Sequence, residues 1–319
     1  MQFSHNMRHF SVRLLTLLTG VMVLIQIMWG GVVRLTESGL GCPDWPLCYG
    51  QIVPPPSSDA VIEYAHRVIG MVVGLMVLST VGLALTYYRR ELWVVVPAVF
   101  GGFLVILAGV LGAISVLTEL ASMFVVAHFV VAEMLLGCVV ICYLALYKVG
   151  TFSNWNLPST LRLVTKEKNL CVLLALFSGL LFILLVTGSY TTMTGSWLAC
   201  GSSWPLCNGN WLPQNSLALI HMIHRFSALI VGVITIWLTA RFMTSPYTSV
   251  RIKVGISGFV ILFLGQILIG AASVWQILPF ISRLAHLFIA SCLWIFSISL
   301  LISIWLTKEK SALPGDSSS

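Results

Sequence analysis

Four histidines pose the chemical question. His66 and His128 lie in the first half of this 319-residue chain, and adding 158 to each number gives His224 and His286 in the second. All four stand in strongly apolar stretches, where an ionisable group is costly and usually has a task. A single histidine in such a stretch is readily explained as a hydrogen-bonding group between helices. A pair that recurs at one fixed offset is better explained as metal ligands, since neutral imidazole is the commonest of these. Glu63 is the only carboxylate near the first pair, and no extra Cys or Asp completes a tetrahedral set. Each pair therefore suits a planar metal cofactor gripped from both faces, a haem, better than a bare ion.

The elements that must position these imidazoles follow from composition. Hydrophobic residues make up 58% of the chain and charged ones 8%, with a mean hydropathy of +0.99, which excludes an ordinary soluble domain. Windows of about 20 apolar residues, enough to cross roughly 30 Å of hydrocarbon, fall at 12–33, 61–87, 92–114, 121–147, 170–190, 217–242, 251–274 and 281–306. Lipid offers no partners to backbone polar groups, so each should be a helix. His66 and His128 then sit about five and seven residues inside the second and fourth helices, roughly 8 to 11 Å below the surface at 1.5 Å per residue.

The 158-residue offset extends well beyond the histidines. It carries Gly30 to Gly188, Thr36 to Thr194, Ser38 to Ser196, Cys42 to Cys200, Gly112 to Gly270 and Ser115 to Ser273. The expected fold is an all-α polytopic membrane protein with eight transmembrane helices, arranged as two pseudo-symmetric four-helix bundles. Residues 1–147 would form the first half, 148–169 a cytoplasmic linker, 170–307 the second half and 308–319 a polar, disordered tail. An even number of spans per repeat orients both halves alike, about an axis along the membrane normal.

The net charge of +7 does not point to nucleic acid. Of the 17 Lys and Arg residues, all but Arg34, Arg67, Arg225 and Arg283 gather at one end of the spans. By the positive-inside rule both termini are cytoplasmic. Arg8 and Arg13 ahead of an apolar run resemble the start of a signal peptide, but the run is long and has a counterpart within the chain. A bacterial or archaeal plasma membrane is the expected location.

At the opposite, outward end the chain writes one loop twice, as `GLGCPDWPLCYG` at 39–50 and `WLACGSSWPLCNG` at 197–209. Cys42 and Cys48, like Cys200 and Cys207, bracket a Trp-Pro just before a histidine-bearing helix. The spacing of each pair permits a disulfide without proving one, and for Cys42 and Cys48 a redox-active thiol pair is the rival reading. Cys138, Cys142, Cys171 and Cys292 lie in spans and read as buried apolar residues. Glu63 breaks the repeat, because its counterpart is His221. Glu63 would carry protons or polarise a substrate group, or else pair with Arg67, four residues on. His221 suits hydrogen bonding or contact with a haem propionate. Arg67 and Arg225 each follow a ligand candidate, where anchoring a propionate and snorkelling to the surface are both open.

Together, `GGVVRLTESGLGCPDWPLC`, `EYAHR`, His128, `HMIHR` and `RLAHL` resemble the haem A synthase family over nearly all of residues 12–306. That resemblance implies oxidation of the C8 methyl of haem O to a formyl group through a hydroxymethyl intermediate. It implies a substrate site for haem O in the first half, with Glu63, His66 and His128 as catalytic residues, and a haem b cofactor in the second half held by His224 and His286. It also implies a functionally important Cys42–Cys48 pair. Expected partners are haem O, a haem O synthase, an electron donor and the bilayer, with a homo-oligomer possible. Two rivals stand beside this reading. One is a di-haem b-type, quinol-linked electron-transfer protein, which leaves Glu63 without a twin. The other is a transporter with parallel repeats, which would need polar groups near the midplane.

Overall fold

The computed structural model describes residues 2–151, 168–245 and 250–311. The expected linker therefore lies largely outside the described residues, as does the tail from 312 onward and the side chain of Cys171. Among the described residues are eight long helices: α1 (Gln2–Leu35), α2 (Ser58–Tyr87), α3 (Leu92–Leu117), α4 (Ser122–Thr151), α5 (Lys168–Met193), α6 (Ser216–Thr244), α7 (Val250–Val274) and α8 (Pro279–Ser311). Each contains a stretch of 22 to 30 residues long and apolar enough to cross a membrane. The chain is an all-α polytopic membrane protein. Several helices extend beyond the expected windows, because their ends continue past the apolar section as charged or polar turns, as at α8.

Packing follows the repeat. In the first half α1 meets α2 and α4, while α3 meets α2 and α4; in the second, α5 meets α6 and α8, while α7 meets α6 and α8. Between the halves α4 packs on α8, α4 on α5 and α1 on α8. Exchanging each helix with its repeat partner leaves this set unchanged, which is the signature of a pseudo-two-fold axis between α4 and α8.

The apolar faces divide between protein and lipid. Val23, Ile27, Val73, Leu104 and Leu135 build the core of the first half. Leu174, Phe177, Val231, Phe259 and Phe263 build that of the second. A further cluster of Leu185, Trp294, Ile298 and Ile302, with Phe129 and Phe182 against it, joins the two. Leu75, Ile106, Ile236 and Leu264 are among many large apolar side chains left exposed, and on an eight-span protein these are the surface for acyl chains. At the end away from the cysteine loops Arg8, Arg13 and Arg241 lie over the rings of Tyr87, Tyr147 and Trp237. Long basic side chains in such positions cover apolar surface while their charge reaches the rim.

Candidate haem sites and the loops above them

The two cysteine loops are the same object built twice. Cys42–Cys48 and Cys200–Cys207 are both disulfides, each with Cα atoms 4.8 Å apart. Trp45–Pro46 and Trp204–Pro205 are both cis. Tyr49 and Gly50, like Asn208 and Gly209, have positive φ, turning each ring back so that Cys48 pairs with Gln51 and Cys207 with Asn210. The turn is closed by different chemistry in each. Asp44 accepts from the amides of Tyr49 (2.6 Å) and Gly50 (2.7 Å), whereas Ser203 donates to Asn208 Oδ1. Those amides, Gly50 foremost, hold the Asp44 carboxyl below the usual range.

The first ring is organised around Arg67. Its Nη1 donates to the carbonyls of Asp44 (2.7 Å) and Leu47 (2.6 Å), and its Nη2 to that of Cys42 (3.1 Å) and to Glu63. Glu63 is buried, only 4% exposed, and its other oxygen accepts from the Cys42 amide at 2.8 Å. The expected ion pair between Glu63 and Arg67 therefore exists, but it is enclosed beneath the loop rather than solvated. The loop approaches this closely because Gly41 has no side chain: a Cβ there would lie 2.3 Å from the Asp59 carbonyl carbon. Its repeat partner is Ala199.

In the second half the same frame is less complete. Arg225 donates through Nη1 to the carbonyls of Pro205 (2.9 Å) and Leu206 (3.1 Å), while its buried Nε and Nη2 have no partner. His221, in the place of Glu63, is buried with an unpartnered Nδ1. Two donors of one guanidinium, side by side and unused, match a carboxylate.

Below the loops the imidazoles meet in pairs. The rings of His66 and His128 lie 6.3 Å apart, centre to centre, at an interplanar angle of 68°. A metal–imidazole bond is about 2 Å, and two of them, with the offset from each ring centre to its nitrogen, sum to roughly this span. His224 lies within electrostatic reach of both His286 and His221. His128 Nδ1 donates to the Ala108 carbonyl at 2.9 Å and His286 Nδ1 to that of Gln266 at 3.1 Å; these two carbonyls are again 158 residues apart. His224 Nδ1 meets the Thr187 hydroxyl at 3.2 Å. A histidine whose Nδ1 is engaged in this way presents Nε2 to a metal. His66 differs: Gln26 Nε2 lies 3.3 Å from its Nε2, and its Nδ1 has no partner.

Each ring also rests on a glycine of the neighbouring helix. A Cβ at Gly188 or Gly270 would come within 2.9 Å of Cε1 of His224 or His286; at Gly30 and Gly112 the distances to His66 and His128 are 3.1 and 3.5 Å. These glycines were visible in the sequence as matching positions, but their use as notches for imidazole edges was not. Among the described residues no group of three or more His, Cys, Asp or Glu is placed to hold a metal ion. Paired imidazoles, three of them with Nδ1 engaged and Nε2 left for a metal, and an arginine with free donors at the rim, fit a haem, whose macrocycle would supply the remaining ligands.

A family model described as COX15-CtaA, cytochrome oxidase assembly protein, matches residues 13–298. A protein named heme A synthase from Halalkalibacterium halodurans is 29% identical over 57% of this chain, and the match spans 59% of that relative's length. Proteins of the same name from Bacillus pumilus and Geobacillus kaustophilus are 28% and 30% identical over 89% and 90% of this chain, covering 92% and 89% of theirs.

Proposed function

Because the chain belongs to the COX15-CtaA family of cytochrome oxidase assembly proteins, we propose that it is a haem A synthase, oxidising the C8 methyl of haem O to a formyl group through a hydroxymethyl intermediate. The observation that carries the reading is the pair of imidazole grips repeated on one frame, with a buried carboxylate above only the first.

His66 and His128 hold the substrate haem O in the first half, and His224 and His286 hold haem b in the second. Bound haem supplies the electron relay that amino-acid side chains lack. The backbone carbonyls of Ala108 and Gln266 fix the rings of His128 and His286 and direct Nε2 toward iron. Arg225 anchors a haem b propionate through Nε and Nη2, with His221 beside it. Glu63 is the acid–base group of the oxidation: it is enclosed, with one carboxyl oxygen oriented by the Cys42 amide and the other by Arg67. Arg67 and the Cys42–Cys48 ring hold that carboxylate in place.

Both termini face the cytoplasm of a bacterial or archaeal cell and the disulfide loops face outward, a side where disulfides persist. A haem O synthase delivers the substrate and a separate donor the electrons; a homo-oligomer fits the same scheme. Electron transfer between two haems as the sole task is not favoured, since it gives Glu63 no role. Co-expression with a source of haem O is expected to yield haem A among the pigments extracted from membranes. Folded, haem-loaded protein that leaves haem O unchanged would favour electron transfer instead.

A further inference from the structure

Glu133 belongs to neither imidazole pair, yet it is fully enclosed, at 0% exposure. It lies on α4 five residues beyond His128, about 7.5 Å further from the loop end. Adding 158 gives Ser291, five residues beyond His286, and these two counterparts touch: the Ser291 hydroxyl donates to Glu133 Oε1 at 2.6 Å. A residue bonded to its own repeat partner sits on the pseudo-two-fold axis, so Glu133 stands between the two sites and is related to both in the same way.

The surroundings give this carboxyl little help. Oε2 has no hydrogen-bond partner, and the Trp294 indole donates to the backbone carbonyl of Glu133, not to its side chain. Trp294, which reaches the Glu133 backbone, belongs with Phe129, Phe182 and Leu185 to the apolar cluster that joins the halves. Cys292 on α8 is the titratable group facing it, and α1, α3 and α5 bring no charge to it among the described residues. A buried carboxylate without a countercharge is expensive, and an ionisable group inside a span is functional by default.

We propose that Glu133 is a redox-linked proton acceptor shared by the two sites. With haem bound in the two halves, ferric iron would supply the positive charge that favours the Glu133 carboxylate. Glu133 would then take up one proton from solvent when an external reductant delivers one electron and that charge is lost. One electron and one proton enter together, so the charge between the halves stays constant. The inference rests on the haem binding proposed above.

The test is a mediated redox titration of the full-length purified protein with its haem bound, repeated across a series of pH values, together with reduced-minus-oxidised infrared spectra. The wild-type midpoint potential is expected to fall as pH rises, and a carboxylic acid carbonyl band to appear on reduction. Glu133→Gln, which keeps the shape and an acceptor for Ser291, is expected to lose at least half of the pH slope and the whole band. A purely structural role would lower haem content or stability and leave slope and band alone. A slope that Glu133→Gln does not change, or a wild-type reduction spectrum without the band, overturns the proposal; the spectrum decides alone if the variant does not accumulate. Wild-type protein that takes up no haem overturns the proposed function and this inference with it.

Discussion

The two halves share a frame and differ in how it is finished. In the first, the ring, Glu63 and Arg67 are closed on one another, with both Glu63 oxygens and both Arg67 terminal nitrogens engaged. In the second, His221 replaces the carboxylate and Arg225 keeps two unused donors. The imidazoles diverge too, since His224 has a hydroxyl on Nδ1 while the Nε2 of His66 faces the Gln26 amide. A tightly oriented carboxylate suits a site where protons move during a reaction. Free donors on Arg225, with ring nitrogens held by Thr187 and the Gln266 carbonyl, would suit a site that keeps a haem. On the proposed reading, duplication supplied the grip and a few polar exchanges divided the work.

The sharpest way to break this comparison is to remove one ligand from each half. His224→Ala is expected to strip most haem b from the purified protein, a loss exceeding the roughly 10–100-fold in affinity that a second-shell change typically costs. His66→Ala is expected to keep haem b and form no haem A. Visible absorption and pigment extraction check both, and equal haem contents in the two variants would erase the distinction between the halves. Next in size is the carboxylate itself. Glu63→Gln should retain haem b and slow haem A formation by about 10²–10⁴-fold, the usual contribution of an acid–base group, while His221→Gln changes turnover only a few-fold. Full activity in Glu63→Gln removes that residue from the mechanism.

The glycine notches sharpen the same contrast on a smaller scale. Gly270→Ala places a Cβ 2.9 Å from Cε1 of His286, and the ring must give way. Overpacking of this kind costs about 1–3 kcal/mol, which should appear as weaker haem b retention in a spectral titration. Gly112→Ala meets His128 at an ordinary 3.5 Å and should bind and turn over nearly as the wild type does. Indistinguishable haem retention in the two variants would mean that the notch in the second half does not position its ligand.

Much of this was legible in the chain because membrane helices report themselves. Long apolar runs point to the eight spans, and the repeat offset to the halves, the histidine pairs and the exchange of Glu63 for His221. What could not be read was contact across helices. No periodicity says that Arg67 gathers the carbonyls of a disulfide ring, since those acceptors are backbone and identical at every residue. Gln26 and Thr187 are ordinary polar residues in α1 and α5 until the rings beside them are placed. Glu133 was the exception: its counterpart Ser291 follows from the same offset, and a carboxyl within a span whose repeat partner is a hydroxyl was a signal available from the sequence.

The smallest expected difference lies in the loops and depends on pH. Asp44, at the surface, is held below the usual carboxylate range by the amides of Gly50 and Tyr49, while the second loop uses Ser203 and Asn208, which do not titrate. A carboxyl with a lower pKa in the folded than in the unfolded state stabilises the fold above its unfolded value, about 4. That stabilisation is lost as pH falls through the folded value. Acid should therefore loosen the first ring and spare the second. A phosphine reductant, which remains active in acid, followed by thiol tagging and mass spectrometry of each loop, reads the difference. Below about pH 4 the Cys42–Cys48 bond should be reduced faster relative to Cys200–Cys207 than at neutral pH, and Asp44→Asn should show the acid behaviour at neutral pH. If the two bonds keep one ratio of rates throughout, the turn in the first loop is held by its backbone alone, and the charge on Asp44 adds nothing to its closure.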